Sequence, residues 1–297
     1  MYLSKREAEY SIRTEDKIDV IEFQSPIPSG IEKVDKAKAF LFKSNDSKKS
    51  VVFIHGTGQR NFDHLKYYPL IFSKSGYATL MPILPYHFER TPEGQKSGLA
   101  FIKGTDKQLA KRFDQAVTEV LAWVDYLEKY GFNEINIMGF SFGGMIATIS
   151  MAIDKRIRKG SFVVTGGNYE YITWHSVATK VLRVNYEENK SCTPIVCNIK
   201  HRIFERMIEE FSELEDLEKM HPCFTYDPSI FAKFIKPENV VFFEALFDLF
   251  IPKKSSRDLW ERMGKPRRYE LLSGHLTSHL FFRHFIANKT LEFFKEE

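Results

Sequence analysis

The chain has 297 residues, 43% of them apolar and 28% charged, with 27 phenylalanines. This excludes a disordered chain and leaves room for one large α/β domain with an insertion, or for two ordinary domains. Its 43 Lys and Arg against 39 Asp and Glu give a formal charge of +4, and the two signs are interspersed, so nucleic-acid binding finds no support.

From the amino terminus, MYLSKREAEYSIRTED lacks the apolar core of a secretory signal, and no later run approaches the roughly 18 apolar residues of a membrane span. A cytoplasmic protein without a membrane span is the expectation. KIDVIEF from Lys17 and AKAFLFKS from Ala37 alternate roughly and flank SPIPSGIEK, which predicts two antiparallel outer strands. VVFIHG from Val51 is continuous and β-branched, as in a strand covered on both faces. FDHLKYYPLIFSKSG from Phe62 predicts a helix stopped by Gly76 and broken near Pro69, and YATLMPILP predicts the next buried strand. LPYHFER follows at 84–90, where Tyr86, His87 and Arg90 are candidate pocket-lining residues.

Leu109, Phe113, Ala116, Val117, Val120, Val124 and Leu127 recur at helical spacing, with Gly131 as the stop. EINIM then predicts a strand and MIATISMAI a helix. KGSFVVTGG, ENVVFFEALF and PRRYELLSG supply three further strands. Strands alternating with helices imply an α/β fold, a mostly parallel central sheet flanked by helices on both faces.

Residues 168–236 contain no good central strand, but they hold an amphipathic acidic helix, HRIFERMIEEFSELEDLEKM, with Phe204, Ile208, Phe211 and Leu214 inward. A structureless loop of that length is improbable in a compact domain. The segment is expected to be a helical cap insertion, with residues 1–167 and 237–297 forming the core. Trp174 and His175 at its start are expected either to wall a substrate or to pack the cap onto the sheet. Cys192, Cys197 and Cys223 are odd in number and lack CxxC spacing, so they are expected to be unpaired thiols.

One stretch carries more chemistry than the rest. Residues 139–143 read Gly-Phe-Ser-Phe-Gly, between a strand and a helix, which is the pattern G-x-S-x-G. A serine on so tight a turn needs glycine two positions to either side, and the helix that follows aims its amino end at the reacting oxygen. Serine needs a neighbouring base, and the base needs a third group to hold its tautomer. Asp248 follows the strand ENVVFFEALF and His275 follows the last strand across Ser273-Gly274, so both fall in loops at the same sheet edge as Ser141. Glu170 and Asp227 are the rival acids, and His279 and His284 the rival bases. His275 and His279 are four apart, but no HExxH accompanies them, and neither a metal nor a cofactor is expected.

With HGTG at 55–58, GFSFGG at 139–144, FDLFIP at 247–252 and SGH at 273–275, the chain resembles an α/β-hydrolase over nearly its whole length. The resemblance implies Ser141 as nucleophile, His275 as general base and then acid, and Asp248 as the orienting acid. It assigns the oxyanion hole to the backbone N–H groups of Phe142 and Thr57, with Gly58 as the other choice for the second donor, because the loop reads His-Gly-Thr-Gly where lipases carry His-Gly-Gly-Gly. The expected activity is cleavage of a carboxylic ester by acyl transfer to serine, with a small-molecule acyl substrate. Thioester or small amide hydrolysis is the alternative, and a non-catalytic ligand- or partner-binding protein on the same scaffold is another. The oligomeric state is left open, a homodimer included.

Overall fold

The computed structural model describes the chain apart from residues 3–7, 16–17, 46–47, 59–62, 178, 189–191 and 297. Lys17 and Phe62, the first residues of two expected elements, lie outside that description. Nine strands are described: β1 (Ser11–Glu15), β2 (Ile18–Gln24), β3 (Lys36–Phe42), β4 (Lys49–Ile54), β5 (Ala78–Ile83), β6 (Glu134–Phe140), β7 (Ile157–Val163), β8 (Val240–Ala245) and β9 (Arg267–Leu271). They form one sheet in the order β1-β2-β3-β5-β4-β6-β7-β8-β9. The pairs from β1 to β5 through β2 and β3 are antiparallel, and all the others are parallel. The outer strands expected from sequence are β2 and β3. β1 adds a third, and its five residues SIRTE are all exposed, so no apolar alternation marks it.

Side chains of the central strands divide by the period of two that a pleated strand imposes. In β4, Val52 and Ile54 join a core with Phe113, Val117 and Ile146 on one face, while Val51 and Phe53 join Phe72, Met138 and Ile286 on the other. The helices Asp106–Lys129 and Phe142–Ile153 cover the first face, and Tyr67–Lys74 and His275–Lys295 cover the second. The long helix Asp106–Lys129 starts on a capping box between Thr105 and Gln108, and all seven of its predicted apolar positions are buried.

Two expectations change. Pro69 does not break its helix: the segment begins as a short 3-10 turn, Asp63–Lys66, and Pro69 lies in the first turn of Tyr67–Lys74, where no intrahelical donor is lost. The acidic run is not one helix. It divides into the ends of Pro194–His201, Phe204–Glu210 and a 3-10 piece, Leu214–Lys219, because Asp216 accepts from the backbone N–H groups of Ser212 and Glu213 and stops the chain there. Phe204, Ile208 and Phe211 are buried nonetheless, with Leu214 packed beside them. No helix among the described residues is long and apolar enough to cross a membrane.

Candidate active site

Ser141 stands alone between β6 and the helix Phe142–Ile153, with φ 55° and ψ −120°, a region that a non-glycine residue occupies only under strain. Its neighbours show why the flanking glycines are needed. A Cβ on Gly139 would lie 2.5 Å from the Gly143 carbonyl oxygen, one on Gly144 would lie 2.6 Å from Thr165 Cβ, and one on Gly143 would press on the carbonyls of Ile54 and His55. The Ser141 N–H donates to the Val163 carbonyl at 2.8 Å, which ties the turn to β7. Because β4 runs parallel beside β6, with Ile54 opposite Gly139, the HGTG loop leaves the sheet next to the serine. A Cβ on Gly56 would sit 3.3 Å from Ser141 Cβ.

The loops after β8 and β9 are laced together by Leu246 N–H donating to Leu271 O and Phe247 N–H to Ser273 O. That pairing sets Asp248 against His275. Asp248 Oδ1 accepts from the backbone N–H groups of Phe250 and Ile251 at 2.8 and 2.9 Å, and its Oδ2 lies 2.7 Å from His275 Nδ1. His275 Nε2 lies 2.7 Å from Ser141 Oγ. A carboxylate only accepts, so Nδ1 carries the proton and Nε2 presents its lone pair to the serine hydroxyl. Both side chains of the acid–imidazole pair are 6% exposed, and the Phe250 ring stacks on the imidazole, with centroids 4.9 Å apart and planes 20° apart. His275 is the first residue of its helix, with Gly274 as the N-cap, rather than lying ahead of it. Such an arrangement can draw a proton from a serine hydroxyl and return it to a leaving group.

Phe142 opens its helix, so its N–H is one of the first-turn groups without an intrahelical acceptor. Thr57, on the facing loop, is held by its side chain: the hydroxyl donates to His87 Nε2 at 3.0 Å, while His87 Nδ1 donates to the Pro85 carbonyl at 2.8 Å. His55 braces the same loop, donating from Nδ1 to Gly56 O at 2.7 Å and accepting the Leu84 N–H on Nε2 at 3.1 Å. Both rings are fully buried, and burial is the main cause that drives the pKa of His55 down to about 3 and of His87 to about 4. The unfolded chain, with histidines near 6.5, takes up these protons first as pH falls. Stability is therefore full above about 6.5 and lost toward pH 4, by at most ~1.4 kcal/mol per pH unit for each ring. Melting temperature measured from pH 7 to 4.5 should fall, and His87→Gln should flatten that limb. An identical limb in the variant would show that His87 is not buried neutral.

The family model described as alpha/beta hydrolase domain containing 18 matches residues 21–296. The chain belongs to this α/β-hydrolase family. Solved structures with the same fold include an acetyl xylan esterase from Paenibacillus sp. R4, 14% identical, with a TM-score of 0.63 over 95% of this chain and 88% of that one. The Pyrococcus furiosus esterase Pf2001 is 16% identical, with a TM-score of 0.58 over 97% and 91% of the two chains. The alpha/beta hydrolase GrgF from Penicillium sp. sh18 is 16% identical, with a TM-score of 0.58 over 94% and 98%. At such identities the likeness concerns the fold. No curated protein matches the chain.

In this α/β-hydrolase the rival acids and bases are engaged elsewhere. Glu170 lies 3.5 Å from His201 Nδ1, and Asp227 accepts from the backbone N–H groups of Asn168, Tyr169 and Ser229. The His279 ring packs against Tyr68 and Phe140, and His284 Nδ1 bonds the Tyr67 hydroxyl at 2.6 Å. Of the expected pocket-lining residues, both Tyr86 and His87 pack on Phe101, but His87 reaches the HGTG loop, whereas Tyr86 lies under the Arg112 guanidinium. Arg90 is buried and paired with Glu119. Trp174 lines a small cavity inside the helical segment, among Tyr186, Cys192 and Cys197. Phe250 was not foreseen: an aromatic two residues beyond an acid is too common to single out, and only the loop geometry lays it on the imidazole.

Proposed function

We propose that the protein is a serine hydrolase that cleaves a carboxylic ester through an acyl-enzyme. Ser141 Oγ adds to the ester carbonyl as His275 Nε2 takes its proton, and Asp248 stabilises the imidazolium. The backbone N–H groups of Phe142 and Thr57 bind the oxyanion. Collapse of the tetrahedral adduct expels the alkoxide, which His275 protonates. A water deprotonated by the same nitrogen then hydrolyses the acyl-serine and restores the free hydroxyl. An ester is favoured over an amide because an alkoxide leaves more readily than an amine. The observation that carries this reading is the unbroken hydrogen-bond relay of 2.7 Å steps from Ser141 through His275 to Asp248.

Residues 168–236 serve as a cap in this reading, over a core of 1–167 and 237–297. In support, the Ser176 hydroxyl and the Val177 N–H both donate to the Leu249 carbonyl, next to Asp248. Phe247 and Leu249, 63% and 64% exposed, stand with Phe250 and Leu276 around the relay and suit an apolar acyl group. These side chains come from the acid loop and the histidine helix. A fluorophosphonate probe should label the folded protein on Ser141 alone, as read by peptide mapping. On a panel of p-nitrophenyl esters, thioesters and aminoacyl amides, esters with longer acyl chains should turn over fastest. Failure to label would favour a binding protein, and a preference for acetate alone would remove the apolar acyl site.

A further inference from the structure

The three cysteines converge although the sequence spreads them over thirty residues. Cys192, Cys197 and Cys223 line one cavity of about 30 Å³ between the helical segment and the core helix, together with Asp106 and Lys200. That volume holds one water-sized guest. Two of the cavity's lining residues, Asp106 and Cys223, also meet an imidazole: the donor atoms of Asp106, His221 and Cys223 all lie within 4.8 Å of one another. We propose that Asp106, His221 and Cys223 bind one divalent ion of the zinc class, which ties the helical segment to the core.

Geometry favours this over a chance polar cluster. Zinc bonds of about 2.0–2.3 Å place tetrahedral donors about 3.4–3.6 Å apart. His221 Nδ1 is 2.9 Å from Cys223 Sγ and 4.0 Å from Asp106 Oδ2, so shifts of about half an ångström bring both to zinc spacing. His221 and Cys223 flank Pro222, whose ring restricts the backbone between the two donors. Asp106 is the first residue of the core helix, and the Tyr186 hydroxyl donates to its Oδ1 at 3.0 Å, which orients the ligand and leaves Oδ2 toward the imidazole. A mixed thiolate, imidazole and carboxylate set suits zinc better than magnesium or calcium, which prefer oxygen alone. Water completes the fourth position.

Lys200 opposes the ion. Its Nζ donates to His221 Nε2 at 3.2 Å, while the backbone N–H of Cys223 donates to Nδ1 at 3.3 Å, so both ring nitrogens face donors. Binding needs the Nδ1 lone pair and the ring proton on Nε2, so the ammonium turns away, the Cys223 N–H gives up Nδ1 to the ion, and the Cys223 thiol releases its proton as the metal–sulfur bond forms. Removing the ammonium therefore strengthens binding, an effect that a purely structural lysine would not have.

The test is a Co²⁺ titration of the chelator-treated full chain, followed by Zn²⁺ displacement. One equivalent of Co²⁺ should give visible d–d bands with a near-ultraviolet thiolate band, and Zn²⁺ should bleach both. Cys223→Ser should lose the thiolate band, Asp106→Asn should bind roughly 10-fold or more weakly, and Lys200→Met should bind roughly 10-fold more tightly. Absence of a thiolate–cobalt band in folded wild type, or its persistence in Cys223→Ser, overturns the site. Should Cys223→Ser fail to fold, Lys200→Met decides, since unchanged affinity there also overturns it.

Discussion

Replacing Ser141 by alanine is expected to lower ester turnover by a factor on the order of 10⁴ or more, because in the proposed mechanism nucleophile and base act as a unit and the loss of one leaves only the oxyanion donors. Replacing it by glycine should abolish turnover equally, yet raise the melting temperature. Ser141 is held at φ 55° and ψ −120°, and such a conformation costs about 1–3 kcal/mol for a residue with a Cβ. Glycine adopts it at little cost, so relief of about 1 kcal/mol corresponds to a rise of about 2 °C in a chain of this size. Alanine keeps the Cβ and the strain, and should melt close to wild type. The pair of variants separates chemistry from conformation. Turnover above about 1% of wild type in Ser141→Ala would exclude Ser141 as nucleophile, a loss well short of that on the order of 10⁴. A glycine variant that melts lower would exclude stored strain.

That strain is also why the turn could be read from the sequence. Gly139 is forced by the backbone of Gly143 and Gly144, a requirement written within five residues, whereas a Cβ on Gly143 would meet the carbonyls that end β4 and one on Gly144 the Thr165 side chain beyond β7. The order of the central strands and helices was equally legible, since strands such as β5 and β8 are buried on both faces and the helix Asp106–Lys129 shows one apolar stripe. What escaped depends on contacts between distant segments. Thr57 and His87 are thirty residues apart and meet only because β4 and β5 are adjacent. Tyr86 and His87 both pack on Phe101 yet reach different partners, the Arg112 guanidinium and Thr57, with Tyr86 at φ 66°, and nothing in LPYHFER announces that division. The acidic run reads as one helix because its apolar spacing continues past Phe211, whereas its end is set by Asp216 turning back on Ser212. Asp106, His221 and Cys223 lie more than a hundred residues apart at the extremes, and no spacing rule connects them.

The largest stability loss is expected at Arg90, whose side chain is 2% exposed and pairs with Glu119, itself 3% exposed. The pair is bidentate, at 2.7 and 2.8 Å. The same guanidinium donates to the carbonyls of Ile83 and Val34, and Gln115 extends the network from Glu119 to Asp35. Surface pairs such as Arg13 with Glu15, more than half exposed, contribute little by comparison. Arg90→Met strands a buried carboxylate and two carbonyls, and should cost about 3–5 kcal/mol in urea unfolding. Arg90→Lys should recover only part, since an ammonium cannot make the fork. The double variant Arg90→Met with Glu119→Met should regain part of the loss, because no charge is then left unpaired while the carbonyls of Ile83 and Val34 still lack their donor. Activity should not follow stability back. Arg90 ends the loop that carries His87, and His87 holds Thr57, so the double variant should fold and still turn over ester roughly 10-fold more slowly, as displacement of a positioning group does. A single variant that loses under about 1 kcal/mol would mean that water reaches Glu119. A double variant with full turnover would disconnect this loop from the proposed oxyanion donors.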